Sequence, residues 1–115
     1  MRYYNEQEKK LVIQMMDLGI NISCKGFNYI LDAVQIIHDT NDNVKITWLY
    51  EKIAHVNNTR YSRVERDIRT EIERIYNTNS NIPQILIANP NNGKLTNGEF
   101  LYRLSYWLYN DGKLL

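Results

Sequence analysis

The chain has 115 residues, of which 43% are hydrophobic and 23% charged, and its formal net charge is +1 at pH 7. This composition is that of an ordinary soluble globular protein, and the length suits one domain, residues 1–115, with a modest core. No apolar run approaches the roughly 20 residues that cross a bilayer, and the N-terminus has no signal-peptide character. We therefore expect a protein of a bacterial or viral cytoplasm without membrane contact. The single Cys24 excludes an intrachain disulfide.

Two amphipathic helices are predicted in the first third of the chain. Asn5 and Glu8 have the spacing of a capping box, and Gly19 ends the first helix. The second helix is expected from about 27 to 38, where apolar residues again recur at helical spacing. The apolar positions are Leu11, Val12, Met15 and Leu18 in the first helix and Ile30, Ala33, Val34 and Ile37 in the second.

A third helix, 46–56, leads through a polar break at 57–59 into a fourth helix, 62–76. Apolar residues on the fourth helix predict a buried face, while arginines project from the opposite side. Two helices joined by a tight turn are typical of a helix-turn-helix, here at about 46–76, whose second helix enters the major groove of DNA. The predicted buried stripes are Leu49, Ile53 and Val56, then Tyr61, Val64, Ile68, Ile72 and Ile75; the opposite side of the fourth helix carries Arg63, Arg66, Thr70 and Glu73.

The small net charge argues against DNA binding by the surface as a whole, because DNA-binding domains commonly owe much of their affinity to neutralising phosphates. In and beside the fourth helix, the basic residues are nearly balanced by acidic ones. Binding must therefore depend on how these charges divide between the faces of the helix. The basic residues are Arg60, Arg63, Arg66, Arg69 and Arg74, and the acidic ones are Glu65, Asp67, Glu71 and Glu73.

The chain beyond the fourth helix is rich in asparagine and predicts a loop with one or two short helical turns around 83–88, which Pro83 can begin. The only candidate strand is ILIA, 85–88. Thr96 and Glu99 form a second capping pair before the last helix. We therefore predict an all-α fold of about six helices. The apolar residues of the last helix are Phe100, Leu101, Leu104, Trp107 and Leu108.

Nothing in the sequence indicates a metal centre or an enzyme. His38, His55 and Cys24 are far apart and lack the spacing of zinc ligands. There is no phosphate-binding glycine loop, no HExxH motif and no nucleophile in a recognisable context. Glu71 and Glu73 lie on different faces of a helix and do not form an acid–base pair. We expect no catalytic residue, no metal and no cofactor.

A series of motifs runs through the chain in order. They are Leu18-Gly19; Lys25-Gly26-Phe27 with Tyr29 and Ala33; Leu49-Tyr50 with Ile53-Ala54; Asn58-Thr59; Ser62-Arg63-Val64-Glu65-Arg66 with Ile68-Arg69; and Thr96-Asn97 with Glu99-Phe100. The string S-R-V-E-R-x-I-R is the most specific of them. Over roughly residues 15 to 108, the chain resembles the C-terminal effector domain of the stage-zero sporulation response regulators, the master regulators of endospore formation.

The resemblance implies a winged-helix-like fold of six helices that binds a short DNA element and regulates transcription. The implied partners are double-stranded DNA, further copies of the chain in tandem on DNA, and RNA polymerase. Arginine can pair bidentately with guanine O6 and N7, and glutamate can accept a hydrogen bond from cytosine N4. The implied base-reading residues are Arg63, Glu65, Arg66 and Arg69, and we expect phosphate contacts from Asn58, Thr59 and Arg60 at the helix entrance.

The chain departs from the family pattern at several places. Asp67 stands where a small residue is typical, and we expect it either to pair with Arg63, one turn before it, or to face phosphate and repel it. Thr70 stands where a histidine is common. The family's full-length regulator carries a phosphoacceptor receiver domain, for which 115 residues leave no room. We therefore expect no phosphorylation control of that kind unless a separate protein supplies it.

A second hypothesis belongs to a different functional class. The chain would be a protein-interaction module that has lost productive DNA binding and instead modulates or antagonises a sporulation-type regulator or RNA polymerase. The near-neutral net charge, Asp67 and the missing receiver domain favour this hypothesis. Salt-dependent duplex binding would favour the first hypothesis, and capture of a regulator or polymerase subunit without DNA would favour the second.

Overall fold

The computed structural model describes residues 2–40, 44–87 and 95–112. This part of the chain forms five α-helices and one turn of 3₁₀ helix, without a β-strand, so the all-α prediction is confirmed. The sixth predicted helix is the 3₁₀ turn, and the end of the ILIA segment lies outside the described residues. The elements are α1 (Glu6–Leu18), α2 (Lys25–Thr40), α3 (Ile46–Val56), α4 (Tyr61–Thr78), the 3₁₀ turn (Gln84–Leu86) and α5 (Asn97–Tyr109).

Local sequence signals account for most helix bounds. At the start of α1, the Glu8 backbone N–H donates to Asn5 Oδ1 at 2.8 Å, which forms the predicted capping box. The second box, between Thr96 and Glu99, caps α5. Gly19 ends α1 with φ 104°, a left-handed conformation that glycine adopts without steric cost. The bounds of α3 match the prediction, whereas α2 extends two residues beyond it at each end.

Helix α2 lies at the centre of the domain and packs against α3, α4 and α5. Every predicted apolar position of α1 and α2 is buried. Because α2 contacts three helices at once, it needs apolar side chains on a broad face, and its periodicity shows that face. The largest fully buried side chains are Phe27, Phe100, Met15, Ile30, Leu31, Leu49, Ile53, Ile68, Ile75, Leu86, Leu101 and Leu104.

Helices α2 and α4 are in close contact at Gly26. A Cβ atom at this position would lie 2.6 Å from the backbone oxygen of Asp67 and 2.9 Å from Cγ of Glu71. Both distances are shorter than van der Waals contact, so a side chain here would push the two helices apart. Gly26 therefore sets the position of α4 against the N-terminal turn of α2.

Two residues of the predicted buried stripes lie at the surface. Val56 is 66% exposed, so its predicted burial is wrong. It occupies the last position of α3, beyond the part of that helix that α2 and α4 cover. Tyr61 is 37% exposed and packs edge-on against Tyr50, with the ring centroids 5.4 Å apart. The remaining stripe of α4 is buried as predicted.

Candidate nucleic-acid interface

Four residues, 57–60, join α3 to α4. Asn58 has φ 51°, in the left-handed region that asparagine tolerates better than most residues. The backbone N–H of Thr59 donates to Ala54 O at 2.9 Å, and that of Asn58 donates to His55 O at 3.2 Å. These bonds satisfy carbonyls at the end of α3. The turn thus presents a short polar segment at the entrance of α4.

An open groove, with a volume of about 1090 Å³, lies between the N-terminal turn of α2 and the exposed face of α4. We call it the α2–α4 groove. All seven side chains predicted to contact DNA line it, although they come from two separate elements, the turn and α4. The lining residues are Lys25, Asn28 and Tyr29 from α2, Asn57, Asn58, Thr59 and Arg60 from the turn, and Ser62, Arg63, Glu65, Arg66 and Arg69 from α4.

The lining of the groove is strongly basic. It carries five basic side chains and one acidic side chain, Glu65, a surplus of four positive charges in a chain whose net charge is +1. The surplus arises because the other acidic residues of α4 lie elsewhere. Glu71, which is 4% exposed, is turned into the domain and accepts a hydrogen bond from the Asn21 backbone N–H at 3.2 Å. The local concentration of charge that DNA binding requires is therefore present.

Residues 12–108, most of the chain, match the family model described as "Sporulation initiation factor Spo0A C terminal". The chain belongs to this family. The family is a DNA-binding effector domain of sporulation regulators and not an enzymatic one, which supports DNA-binding transcription regulation by this chain. A comparison with curated proteins finds no match.

The arginines of this Spo0A-type groove differ in their ion pairs. Arg69 Nη1 pairs with Glu65 Oε1 one turn away. Arg66 pairs through Nε with Asp67 Oδ1 at 3.4 Å. The predicted pair between Asp67 and Arg63 is not formed, because the carboxylate of Asp67 is turned towards its neighbour Arg66. Within the described residues, Arg63 takes part in no ion pair, so its guanidinium faces the groove uncompensated.

The N-terminal segment of the Spo0A-type domain is linked through ion pairs and a hydrogen bond to the elements that form the groove. Arg2 pairs with Asp32 of α2 at 2.8 Å and with Glu8 of α1 at 3.0 Å. Asp32 in turn accepts a hydrogen bond from Asn57 Nδ2, at 3.0 Å, at the start of the α3–α4 turn. Burial lowers the pKa of Arg2, but the two carboxylates outweigh it and the net pKa is raised. This network, the Arg2 cluster, joins α1, α2 and the turn.

A second contact from the N-terminal segment orients a groove residue. The Tyr4 hydroxyl donates to Asn28 Oδ1 at 2.8 Å. Because the amide oxygen of Asn28 is engaged in this way, its NH₂ group remains to donate towards the groove. Lys25, one turn earlier on α2, adds a positive charge to the same wall. Sequence reasoning assigned no binding role to either residue.

Two further properties concern the described residues alone. They contain no group of three or more histidine, cysteine, aspartate or glutamate side chains close enough to hold a metal ion. None of the described helices combines the length and apolar character that a membrane span requires.

Proposed function

We propose that this domain reads the sequence of double-stranded DNA through α3, the turn and α4, which together form a helix-turn-helix at about 46–76 within a single domain. The observation that carries the proposal is the α2–α4 groove, in which the motif residues and the surplus of positive charge coincide. Counterion release from phosphates would supply affinity, and side chains on the exposed face of α4 would supply specificity.

Helix α4 has the dimensions that reading DNA requires. Its 18 residues span about 27 Å, and the major groove, about 12 Å wide, admits an α-helix. Arg63 and Arg66 then face base edges, where each good bidentate contact contributes about 1–3 kcal/mol of discrimination. Glu65 and Arg69 form an ion pair with each other, so this ion pair must break before either side chain can contact a base by itself.

The turn would bind the DNA backbone. Asn58, Thr59 and Arg60 line the groove at the entrance of α4, where polar donors and a guanidinium suit phosphate oxygens. Such contacts set the register of α4 and carry no sequence information themselves. Assembly of copies in tandem on DNA and contact with RNA polymerase stay predictions.

The basic groove weakens one reason for the protein-interaction hypothesis. That hypothesis relied partly on the near-neutral net charge, and the charges are now seen to divide between the groove and the rest of the domain. It remains the outcome to pursue if a well-folded sample binds no duplex.

Selection from a pool of random duplexes at moderate salt, followed by sequencing, tests the proposal. We expect one short motif containing guanines to be enriched. Arg66→Ala should abolish the enrichment while the fold stays intact, and Arg74→Ala, which removes an arginine of α4 outside the groove lining, should retain it. Unchanged enrichment with Arg66→Ala would contradict the assignment of Arg66, and no enrichment by the folded parent domain would contradict DNA reading.

A further inference from the structure

Asp67 and Arg66 are neighbours in the chain, yet their side chains meet. Successive residues on a helix point in directions about a quarter-turn or more apart, so an ion pair between them requires one side chain to bend towards the other. Asp67 is 22% exposed and Arg66 is 58% exposed. The carboxylate is therefore the more enclosed partner, and the guanidinium bends towards it.

The position of Asp67 is set by the packing of two helices. Its backbone oxygen lies against Gly26 of α2, so close that a Cβ atom there would lie 2.6 Å from it. The backbone of α4 cannot shift here without opening that contact. The backbone of Asp67 is thus held in place by helix packing, beside the more exposed side chain of Arg66.

The two ion pairs of α4 engage different atoms of their arginines. A guanidinium has one donor on Nε and four on its two terminal nitrogens. Asp67 engages Arg66 at Nε, which leaves both terminal nitrogens of Arg66 free. Glu65 instead engages Arg69 at Nη1, which occupies one terminal nitrogen. Bidentate reading of guanine O6 and N7 needs two donors at once, and the pair with Asp67 preserves them at the end of Arg66.

We propose that Asp67 determines specificity by orienting Arg66 for base reading. Orientation reduces the side-chain freedom that Arg66 loses on binding, and so raises affinity for the specific site alone. The negative charge of Asp67 also repels phosphate where α4 meets α2, but this lowers affinity for every duplex alike, so orientation alone widens the ratio between specific and non-specific affinity. This inference rests on the proposed function, because it takes Arg66 to be a base reader.

The test compares affinities for the selected duplex and for a scrambled duplex of the same length. Asp67→Ala should lower the ratio of the two affinities about two- to tenfold, the range expected when one immobilised side chain becomes free, and should tighten binding to the scrambled duplex. Asp67→Asn keeps an oxygen that accepts from Nε and removes the charge. It should retain more of the ratio while tightening scrambled binding similarly.

A matched control removes a different acid from the same helix. Glu73 is exposed and does not line the groove, so Glu73→Ala should leave the specificity ratio unchanged. Thermal unfolding of each variant would show that the domain remains folded. A ratio that falls equally with Glu73→Ala would assign the effect to net charge and overturn the orienting role.

Duplexes that differ from the selected site at single base pairs separate orientation of Arg66 from any other effect. Asp67→Ala should reduce discrimination at one guanine position, the one that Arg66 reads, and leave discrimination at the other positions as in the parent domain, because the other base-reading side chains are unchanged. An even loss of discrimination at all positions, or a parent-like ratio for Asp67→Ala, would overturn the inference while leaving DNA reading in place. A parent domain that does not distinguish the two duplexes would instead overturn the proposed function, and this inference with it.

Discussion

The Arg2 cluster and the α2–α4 groove contain the same kinds of charged residue in different arrangements. Arg2 is paired with two carboxylates, Glu8 and Asp32, and all three side chains are largely covered. In the groove, five basic residues face a single acidic one, and the guanidinium of Arg66 is more than half exposed. The first arrangement satisfies its charges within the fold, whereas the second leaves positive charge for a partner.

This difference shows why net charge is a poor guide to DNA binding in this domain. Two of the four acidic residues of α4 lie away from the groove, since Glu71 is buried and Glu73 is exposed outside the groove lining. Their negative charges cancel the arginines in the sum over the chain but not at the surface where a duplex would lie. The comparison predicts that perturbing the groove changes binding and that perturbing the Arg2 cluster changes stability.

The largest expected effect is that of salt on duplex affinity. If three to five of the basic groove residues displace counterions on entering the DNA groove, whether they contact phosphates or base edges, the slope of log affinity against log salt is about −2.7 to −4.5. Affinity then falls about 40- to 500-fold between 50 and 200 mM salt. Fluorescence anisotropy with a labelled duplex measures this slope. A slope near zero would show that the groove charges do not displace counterions from DNA, and Arg2→Ala should leave the slope unchanged.

The next effect concerns Arg63, which, like Arg60, takes part in no ion pair among the described residues. Arg63→Ala should weaken binding to the selected site roughly tenfold to a hundredfold, the range of one lost bidentate base contact. The free energy of unfolding should change by less than about 0.5 kcal/mol, because the side chain is exposed. Binding titrations and urea denaturation of the same sample measure the two quantities. A large stability change with unaltered binding would reverse the assigned role.

The Arg2 cluster should respond in the opposite way. Arg2→Ala leaves the carboxylates of Glu8 and Asp32 without their shared partner, and we expect the free energy of unfolding to fall by about 1–3 kcal/mol. Arg2→Lys should restore part of the loss, since one ammonium cannot reproduce both contacts of the guanidinium. Urea denaturation measures both variants. Parent-like stability of Arg2→Ala would show that the cluster does not hold the segment to the fold.

The smallest expected effect is a loss of stability on ionisation of Tyr50, which occurs only at alkaline pH. Tyr50 supports the start of α4 through Tyr61, and burial raises its pKa from 10.0 to about 12. The neutral phenol is therefore favoured in the folded state, so its contribution to stability is complete below pH 10 and is lost as the pH rises towards 12. Urea denaturation at several pH values should show this decline, and Tyr50→Phe should remove it. An identical decline in Tyr50→Phe would assign it to another group.

Sequence periodicity predicted the helices and most of the core because those properties depend on residues three or four apart. The resemblance to the sporulation-regulator effector domains, and not periodicity, implied the DNA-contacting residues of α4, and these line the groove. The contribution of Lys25 and Asn28 was missed, since it depends on the approach of α2 to α4 at Gly26 and not on local spacing. The Arg2 cluster was missed for the same reason, because Arg2 and Asp32 are 30 positions apart.

The partner of Asp67 shows a second limit of sequence reasoning. Helical spacing left two placements for Asp67, a pair with Arg63 one turn away or a position facing phosphate, whereas the structure pairs its carboxylate with Arg66. Spacing gives the direction in which a side chain leaves the helix, but the packing of α2 against α4 determines where its carboxylate ends. Val56 illustrates the same point, since its position in the stripe predicted burial at a place that no other helix covers.

The most direct test of the α2–α4 groove as a DNA interface is a map of backbone amide chemical shifts during titration of the isotope-labelled domain with a short duplex that carries the selected site. A DNA interface in the groove predicts the largest changes at 25–29, 57–60 and 62–69, with small changes in α1 and α5. Changes concentrated in α1 or α5, or none at duplex concentrations that saturate a parallel anisotropy titration, would contradict it.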